Sequence, residues 1–274
     1  MHPERGGRKR PFSVRHEGHH ALSPVMSHDD LARFDFVMTS YFHVAQDIYP
    51  GAKRAYQTRV EPAFVKQHGQ KPATRDEVRQ AMYADPYWQM WSALKRGNQE
   101  LSYAARSHVL AHAFDKLEAR AAKTSDRGSA TLRLNPALKV PRYITAVDLH
   151  CMPGGYNADD GAGLYAGAMY DTASLYLATG GEFGKWNDAA GWSMVNWIVT
   201  KFADVKPKRV LDLGCTVGHS TLPLAQHFPQ AEVYAIDACA PLLRFAKARA
   251  DSLGVPVRFS QQNAEATDFP DNFF

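Results

Sequence analysis

Apolar residues recur at three- and four-residue steps through the first part of the chain. Leu31, Phe34, Val37, Tyr41, Val44 and Ile48 predict an amphipathic helix. Ser27 and Asp30 supply its N-terminal cap, and Pro50-Gly51 marks its end. A second helix is expected over Ala52–Lys66, bent or restarted at Pro62. Thr74-x-x-Glu77 is a capping box for a short helix. Asp85-Pro86 opens another, carrying Tyr87, Trp88, Met90, Trp91 and Leu94. Gln99–Lys123 repeats the helical period with Leu101, Ala105, Val109, Ala113 and Leu117. Residues 27–124 therefore read as a helical region whose aromatics form a core, and residues 1–26 as a disordered tail.

The pattern then changes. Ser125–Pro141 holds Gly128, Pro136 and Pro141 and reads as a linker, and Tyr143–Cys151 as a short strand or irregular segment. Met152–Tyr156 and Asp159-Asp160-Gly161 form a glycine-rich loop. Small residues mixed with Tyr165, Tyr170 and Tyr176 predict a closely packed helix over Gly163–Ala178, stopped by Gly180-Gly181. Asp188 is the expected cap of a further helix through Trp192, Val195, Ile198 and Phe202.

After Lys206-Pro207 short apolar runs alternate with helical stretches. Val210, Leu211 and Leu213 predict a strand buried on both faces. Gly214 and Gly218 punctuate a turn, and His219-Ser220-Thr221 opens a helix carrying Leu222, Ala225 and Phe228. Ala231–Asp237 is a second strand ending on a carboxylate. Ala240-Pro241 begins a helix with Leu242, Phe245, Ala246, Arg249 and Leu253, and Gly254 stops it. Val257 and Phe259 alternate in a third strand. The β-α-β-α-β order favours a parallel sheet with right-handed crossovers, so the fold class is α/β preceded by a mainly helical region.

Composition narrows the function. At 274 residues with 45% hydrophobic side chains the chain can bury a sizeable core. The net charge of +4 is mild, and part of it sits in a tail where Arg5, Arg8, Lys9, Arg10 and Arg15 outnumber Glu4 and Glu17. That is a solvated arm rather than a basic face with interleaved aromatics, so no nucleic-acid partner is expected. Cys151, Cys215 and Cys239 are scattered, which argues for a reducing cytoplasm and against a disulfide framework or a metal site. No apolar run reaches membrane-spanning length, and no signal peptide is seen.

A glycine turn between strand and helix presents backbone N–H groups to a ligand. A dinucleotide loop needs G-x-G-x-x-G, but Thr216 stands at its second glycine and His219 at its third. The stretch Arg209–Gly218 instead resembles motif I of the class I S-adenosylmethionine-dependent methyltransferases, whose loop reads acidic-x-Gly-x-Gly-x-Gly. Asp212, Gly214 and Gly218 fit, and Thr216 departs. Asp237 resembles the second-strand acid that binds ribose hydroxyls. Gln262-Asn263-Ala264-Glu265 with Phe269–Phe274 resembles the adenine-contacting segment of the type 11, quinone-methyltransferase-like branch, with Asn263 where an aspartate is usual.

The resemblance covers Arg209–Phe274, about a quarter of the chain. It implies a Rossmann-like core over 206–274, with linker, lid and pre-core helices over 125–205 and His150–Asp188 as the candidate lid. It implies S-adenosyl-L-methionine as cofactor and a small-molecule substrate. Gly214, Thr216 and Gly218 would cradle the methionine and sugar, Asp212 would contact the loop or the amino group, and Asn263 and Ala264 would face adenine. Only the first three strands of that core are found. The expectation is therefore a C-terminally truncated chain with its first strand as an open edge. Methyl transfer from a sulfonium needs no triad, and none is found; His219, His150 and Tyr156 are the weak candidates for a base or pocket residue. The alternative is a non-catalytic cofactor-binding or scaffold protein with a degenerate methyltransferase fold.

Overall fold

Residues 20–125, 128–158, 163–177 and 188–274 are described by the computed structural model. Four parallel strands lie among them: β1 (Thr131–Arg133), β2 (Arg209–Leu213), β3 (Glu232–Asp237) and β4 (Arg258–Gln261), in spatial order β1-β4-β3-β2. The three strands expected from the apolar runs are present in parallel register, with Asp212 opposite Ala235 and Asp237 opposite Gln261. The fourth corrects the reading of Ser125–Pro141 as a linker. Thr131-Leu132-Arg133 is too short to show a period, and tertiary bonds place it. Thr131 N–H donates to the Val257 carbonyl at 2.9 Å and Ala130 N–H to Asp251 Oδ1 at 3.1 Å. β2 ends the strand order, and its Leu213 side chain is 54% exposed.

The helix after β3, α10 (Ala240–Leu253), is the centre of the packing. Pro241 sits in its first turn and Gly254 closes it in the left-handed region at φ 65°. Leu243, Ala246 and Ala250 face the sheet beside Val233, Ala235 and Phe259. Leu242, Phe245 and Ala248 face the other way. They meet Leu110 and Leu117 of α5 (Pro86–Ser125) and Met169 of α7 (Tyr165–Leu177). A helix buried on both sides stabilises two layers at once, at about 1.5–3 kcal/mol per large apolar side chain.

The helical region is less broken than its prolines suggest. α1 (His28–His43) starts at the expected Ser27–Asp30 capping box. It continues through a π turn at Val44–Ile48 into α2 (Tyr49–Ala55), and through a second at Tyr56–Val60 into α3 (Glu61–His68). Each wide turn ends just before Pro50 or Pro62, where it accommodates the missing N–H and the ring, so the axis carries on instead of stopping. α4 (Arg75–Met82) has its Thr74–Glu77 box. The two helices expected over 85–123 are one, α5, whose start is fixed by Asp85 accepting from the Tyr87 and Trp88 N–H groups. α1 packs on α5 through Phe34, Val37, Ala105 and Val109.

Three further expectations change. The sequence predicts a disordered tail to residue 26, but His20 and Leu22 are buried, Leu22 within the main core. Tyr143–Cys151 is a short helix, α6 (Arg142–Thr145), followed by a tight turn, not a strand. Asp188 does not cap α8 (Ala189–Lys201) with its side chain. The Asp159-Asp160-Gly161 loop and the Gly180-Gly181 stop lie outside the described residues.

Two glycine substitutions should move stability in opposite directions. A methyl group added at Gly167 would stand 2.2 Å from Phe245 Cβ, whereas one at Gly97, inside α5, meets nothing within 4 Å. Gly167→Ala should destabilise by about 1–3 kcal/mol through overpacking. Gly97→Ala should stabilise by about 0.5–1 kcal/mol. Urea denaturation of both variants checks the pair.

Candidate functional site

The loop after β2 is shaped by three residues of positive φ: Gly214 (76°), Thr216 (49°) and Gly218 (81°). Gly214 and Cys215 both donate to the Ile236 carbonyl, at 2.8 and 3.0 Å, which folds the loop back across the end of β3. Above Gly214 there is open space, since a Cβ there would touch nothing within 4 Å. Thr216 is the strained member, because a β-branched residue at positive φ costs about 1–3 kcal/mol. Two neighbours hold it. Its N–H donates to Asp237 Oδ2 at 3.0 Å, and its side chain meets the Tyr170 hydroxyl.

The acids of the loop divide their work. Asp212 Oδ2 accepts from Ser220 Oγ at 2.7 Å and Thr221 Oγ1 at 2.6 Å, which ties β2 to the start of α9 (Thr221–His227). Asp237 accepts from Thr216 N–H and, through Oδ1, from Cys239 N–H at 2.8 Å. Burial pushes its carboxyl up, against the pull of those two N–H groups. A carboxylate offers about four acceptor sites, so two N–H donors leave room for a diol. Gln262 N–H donates to the Asp237 carbonyl at 3.0 Å and sets the next turn beside it. There Asn263 Oδ1 accepts from Glu265 N–H at 3.0 Å, so part of its acceptor capacity is used locally, while Ala264 is exposed. Asp212, Gly214, Thr216, Gly218, Asp237, Asn263 and Ala264 thus gather at the carboxyl ends of β2, β3 and β4. That is where open α/β sheets bind ligands.

Behind the loop lies a buried charged cluster that the sequence does not announce. Arg249 is wholly buried and its Nη1 donates to the carbonyls of Gly218 (3.2 Å) and Val217 (3.4 Å). Its Nε stands 3.9 Å from Asp171 Oδ1. That oxygen also pairs with His219 Nε2 at 2.7 Å, and Asp171 Oδ2 with His20 Nε2 at 2.9 Å. Burial alone would raise the Asp171 carboxyl, but His20 and His219 hold it well below its ordinary range. Burial keeps the His219 imidazole below its usual value, with Asp171 pulling the other way. Asp188 lies within electrostatic reach of Arg249, and burial pushes its carboxyl up. In the sequence the cluster shows only as Arg249 standing in an apolar stripe and His219 opening the helix after the glycine loop.

The three weak candidates fall in one aromatic row. His150, exposed and at φ 55°, contacts the Tyr156 hydroxyl. Tyr156 meets Tyr170 edge to face at 5.4 Å, and Tyr170 stacks on His219 at 6.0 Å. Tyr170, which links the others, carries no functional signal in the sequence. Burial and neighbouring Tyr170 push the Tyr156 phenol up, so it stays protonated. The expected lid divides here. Among the described residues α7 is a core helix, with Ala166, Ala168 and Met169 each 1% exposed. In the turns before it His150, Pro153, Gly154 and Asn157 are exposed, while Met152 is buried in the core. No group of three or more metal-ligating side chains is found among the described residues, and no helix there is long and apolar enough to cross a membrane.

Residues 210–274 match the family described as methyltransferase domain. A stretch of 105 residues is 41% identical to the demethylmenaquinone methyltransferase of Thermus thermophilus. It covers 38% of this chain and 44% of that protein, so the chain spans less than half the length of this curated relative. No solved structure matches.

Arg249→Met should be severe. It leaves the Val217 carbonyl without the guanidinium and the Gly218 carbonyl with the Leu222 N–H alone, and takes the guanidinium away from the buried Asp171, a loss of about 3–5 kcal/mol in urea denaturation. The cluster also fixes a pH dependence. His219 has an ordinary value of 6.5 and a lower one when folded, so below pH 6.5 the unfolded chain binds more protons. Stability should therefore fall as pH drops from 6.5, by at most about 1.4 kcal/mol per pH unit from this group. His219→Gln should flatten that part of the profile. Asp171, lowered when folded, adds a second loss at lower pH, as the chain is acidified past its ordinary value of 3.8.

Proposed function

We infer that the chain, whose residues 210–274 are a class I S-adenosylmethionine-dependent methyltransferase segment, methylates a small molecule. The observation that carries this reading is the pairing of an open Gly214 face with the buried Asp237 carboxylate at the strand ends. Both fit the cofactor. The missing Cβ at Gly214 lets an adenosyl or methionine group approach the backbone. The remaining lone pairs of Asp237 suit two ribose hydroxyls. The Asn263–Ala264 turn would border the adenine. S-adenosylmethionine supplies a methyl group on a cationic sulfur, already an activated leaving group.

The chain's own part is to bind, orient and exclude water. Arg249 and Asp212 fix the loop from behind, so its open face keeps one shape. Tyr170 and Tyr156 wall the side of the loop from which an acceptor would come. His219 is bonded through Nε2 to Asp171 and stacks on Tyr170.

Calorimetry on the purified chain tests the reading. S-adenosylmethionine or its demethylated product should bind and NAD should not. Asp237→Ala should weaken binding by about 1–3 kcal/mol, the worth of charge-assisted hydrogen bonds to a diol. Binding of NAD with none of S-adenosylmethionine would overturn the assignment.

A further inference from the structure

Two of the described arginines are wholly buried, and they are kept very differently. Arg249 has carboxylates and carbonyls around it. Arg106, on α5, pairs with no carboxylate among the described residues. Its Nη2 donates to Ser102 Oγ at 2.6 Å and its guanidinium lies over the Tyr103 ring at 4.1 Å. Nε and Nη1 reach no acceptor among the described residues. Its strongest electrostatic neighbours are the phenols of Tyr103, Tyr41 and Tyr156 rather than a carboxylate.

A second observation points the same way. Asn98 is one turn before Ser102 on the same face of α5 and is 5% exposed. Its Oδ1 accepts from Ser40 Oγ at 2.6 Å, and its Nδ2 has no partner among the described residues. The stripe Asn98–Ser102–Arg106 therefore offers three buried nitrogens that seek acceptors. A lone buried cation is strongly unfavourable unless an anion meets it.

The place is connected to the cofactor loop. Arg106 lies within electrostatic reach of Tyr156 and Tyr170, and both of these lie within reach of Asp237. Tyr170 also meets Thr216 and His219. A chain of aromatic rings, Tyr103, Tyr156 and Tyr170, thus links the guanidinium to the glycine loop.

We propose that Arg106 binds a carboxylate of the methyl acceptor, an aromatic acid whose ring lies among Tyr103, Tyr156 and Tyr170. This rests on the methyltransferase reading. A carboxylate is ionised at neutral pH without help and brings about four acceptor sites, which suits three waiting nitrogens and a full positive charge. A phenol is neutral at that pH and brings fewer.

Thermal denaturation of the full chain with benzoate and naphthoate, against benzamide and naphthol, tests this. The carboxylates should raise the melting temperature of the wild type, and each neutral probe should bind about tenfold or more weakly. Arg106→Met should melt higher than the wild type without ligand, because it removes an unpaired buried charge, and should lose the carboxylate response. Arg106→Lys should keep part of that response. An equal response of wild type and Arg106→Met, no response of the wild type to either carboxylate, or a ligand-free Arg106→Met that melts lower would each overturn the proposal. S-adenosylmethionine binding is measured in parallel. Cofactor binding without a carboxylate response sinks this inference alone. A carboxylate response without cofactor binding upholds the anion site and removes the methyl-transfer reading.

Discussion

The Arg249 guanidinium, set beneath the glycine loop, is the contact on which the other parts converge. A tight loop with three residues of positive φ turns several carbonyls away from any ladder, and α9 is only seven residues long. Unpaired carbonyls in a buried place are costly. Arg249 donates to two of the loop's carbonyls, Val217 and Gly218, the latter shared with the Leu222 N–H, from the middle of α10. Its charge then has to be met in turn. Asp171 comes from α7, and His20 and His219 flank Asp171 from the N-terminal segment and the loop. One buried cation thereby connects four parts of the chain that are distant in sequence.

The same arrangement explains why the loop can tolerate Thr216. A strained backbone persists only where its surroundings over-determine it. Here Asp237 grips the Thr216 N–H from one side, Tyr170 meets the side chain, and Arg249 fixes the following carbonyls. Gly191 of α8 adds a close approach, since a Cβ there would stand 2.3 Å from the His219 carbonyl oxygen. The strain is confined to the edge of the open face, so the loop holds one form.

Polar groups are concentrated at the seam between the helical layer and the α/β layer. Toward the sheet, the interior is apolar: Val233, Ala235, Leu243, Ala246, Phe259. Toward α1, it is apolar again: Phe34, Val37, Val109. Between them stand Arg106, Tyr103, Tyr156, Tyr170 and the Asp171 cluster. A fold that needed only stability would fill such a seam with hydrocarbon. Its polarity is set against the glycine loop, where Tyr170 meets Thr216 and His219.

Much of the fold was written locally. The strands, α10 with its Pro241 start and Gly254 stop, and the capping boxes at Ser27 and Thr74 follow from period and cap chemistry, which depend on near neighbours alone. That the candidate residues of β2, β3 and the glycine loop meet at the strand ends was legible for the same reason, since motif spacing sets which residues reach that edge. Tertiary structure decided the rest. β1 is three residues long and exists because β4 offers it an edge. The π turns let one helix run past two prolines because α5 lies alongside to hold it. His20 left an apparently disordered tail for the core because Asp171 was there to receive it. Arg106 and Tyr170 gave no signal at all. A side chain inside a helix states its face, but which distant groups meet that face, and whether its charge is answered, is fixed only when the layers pack.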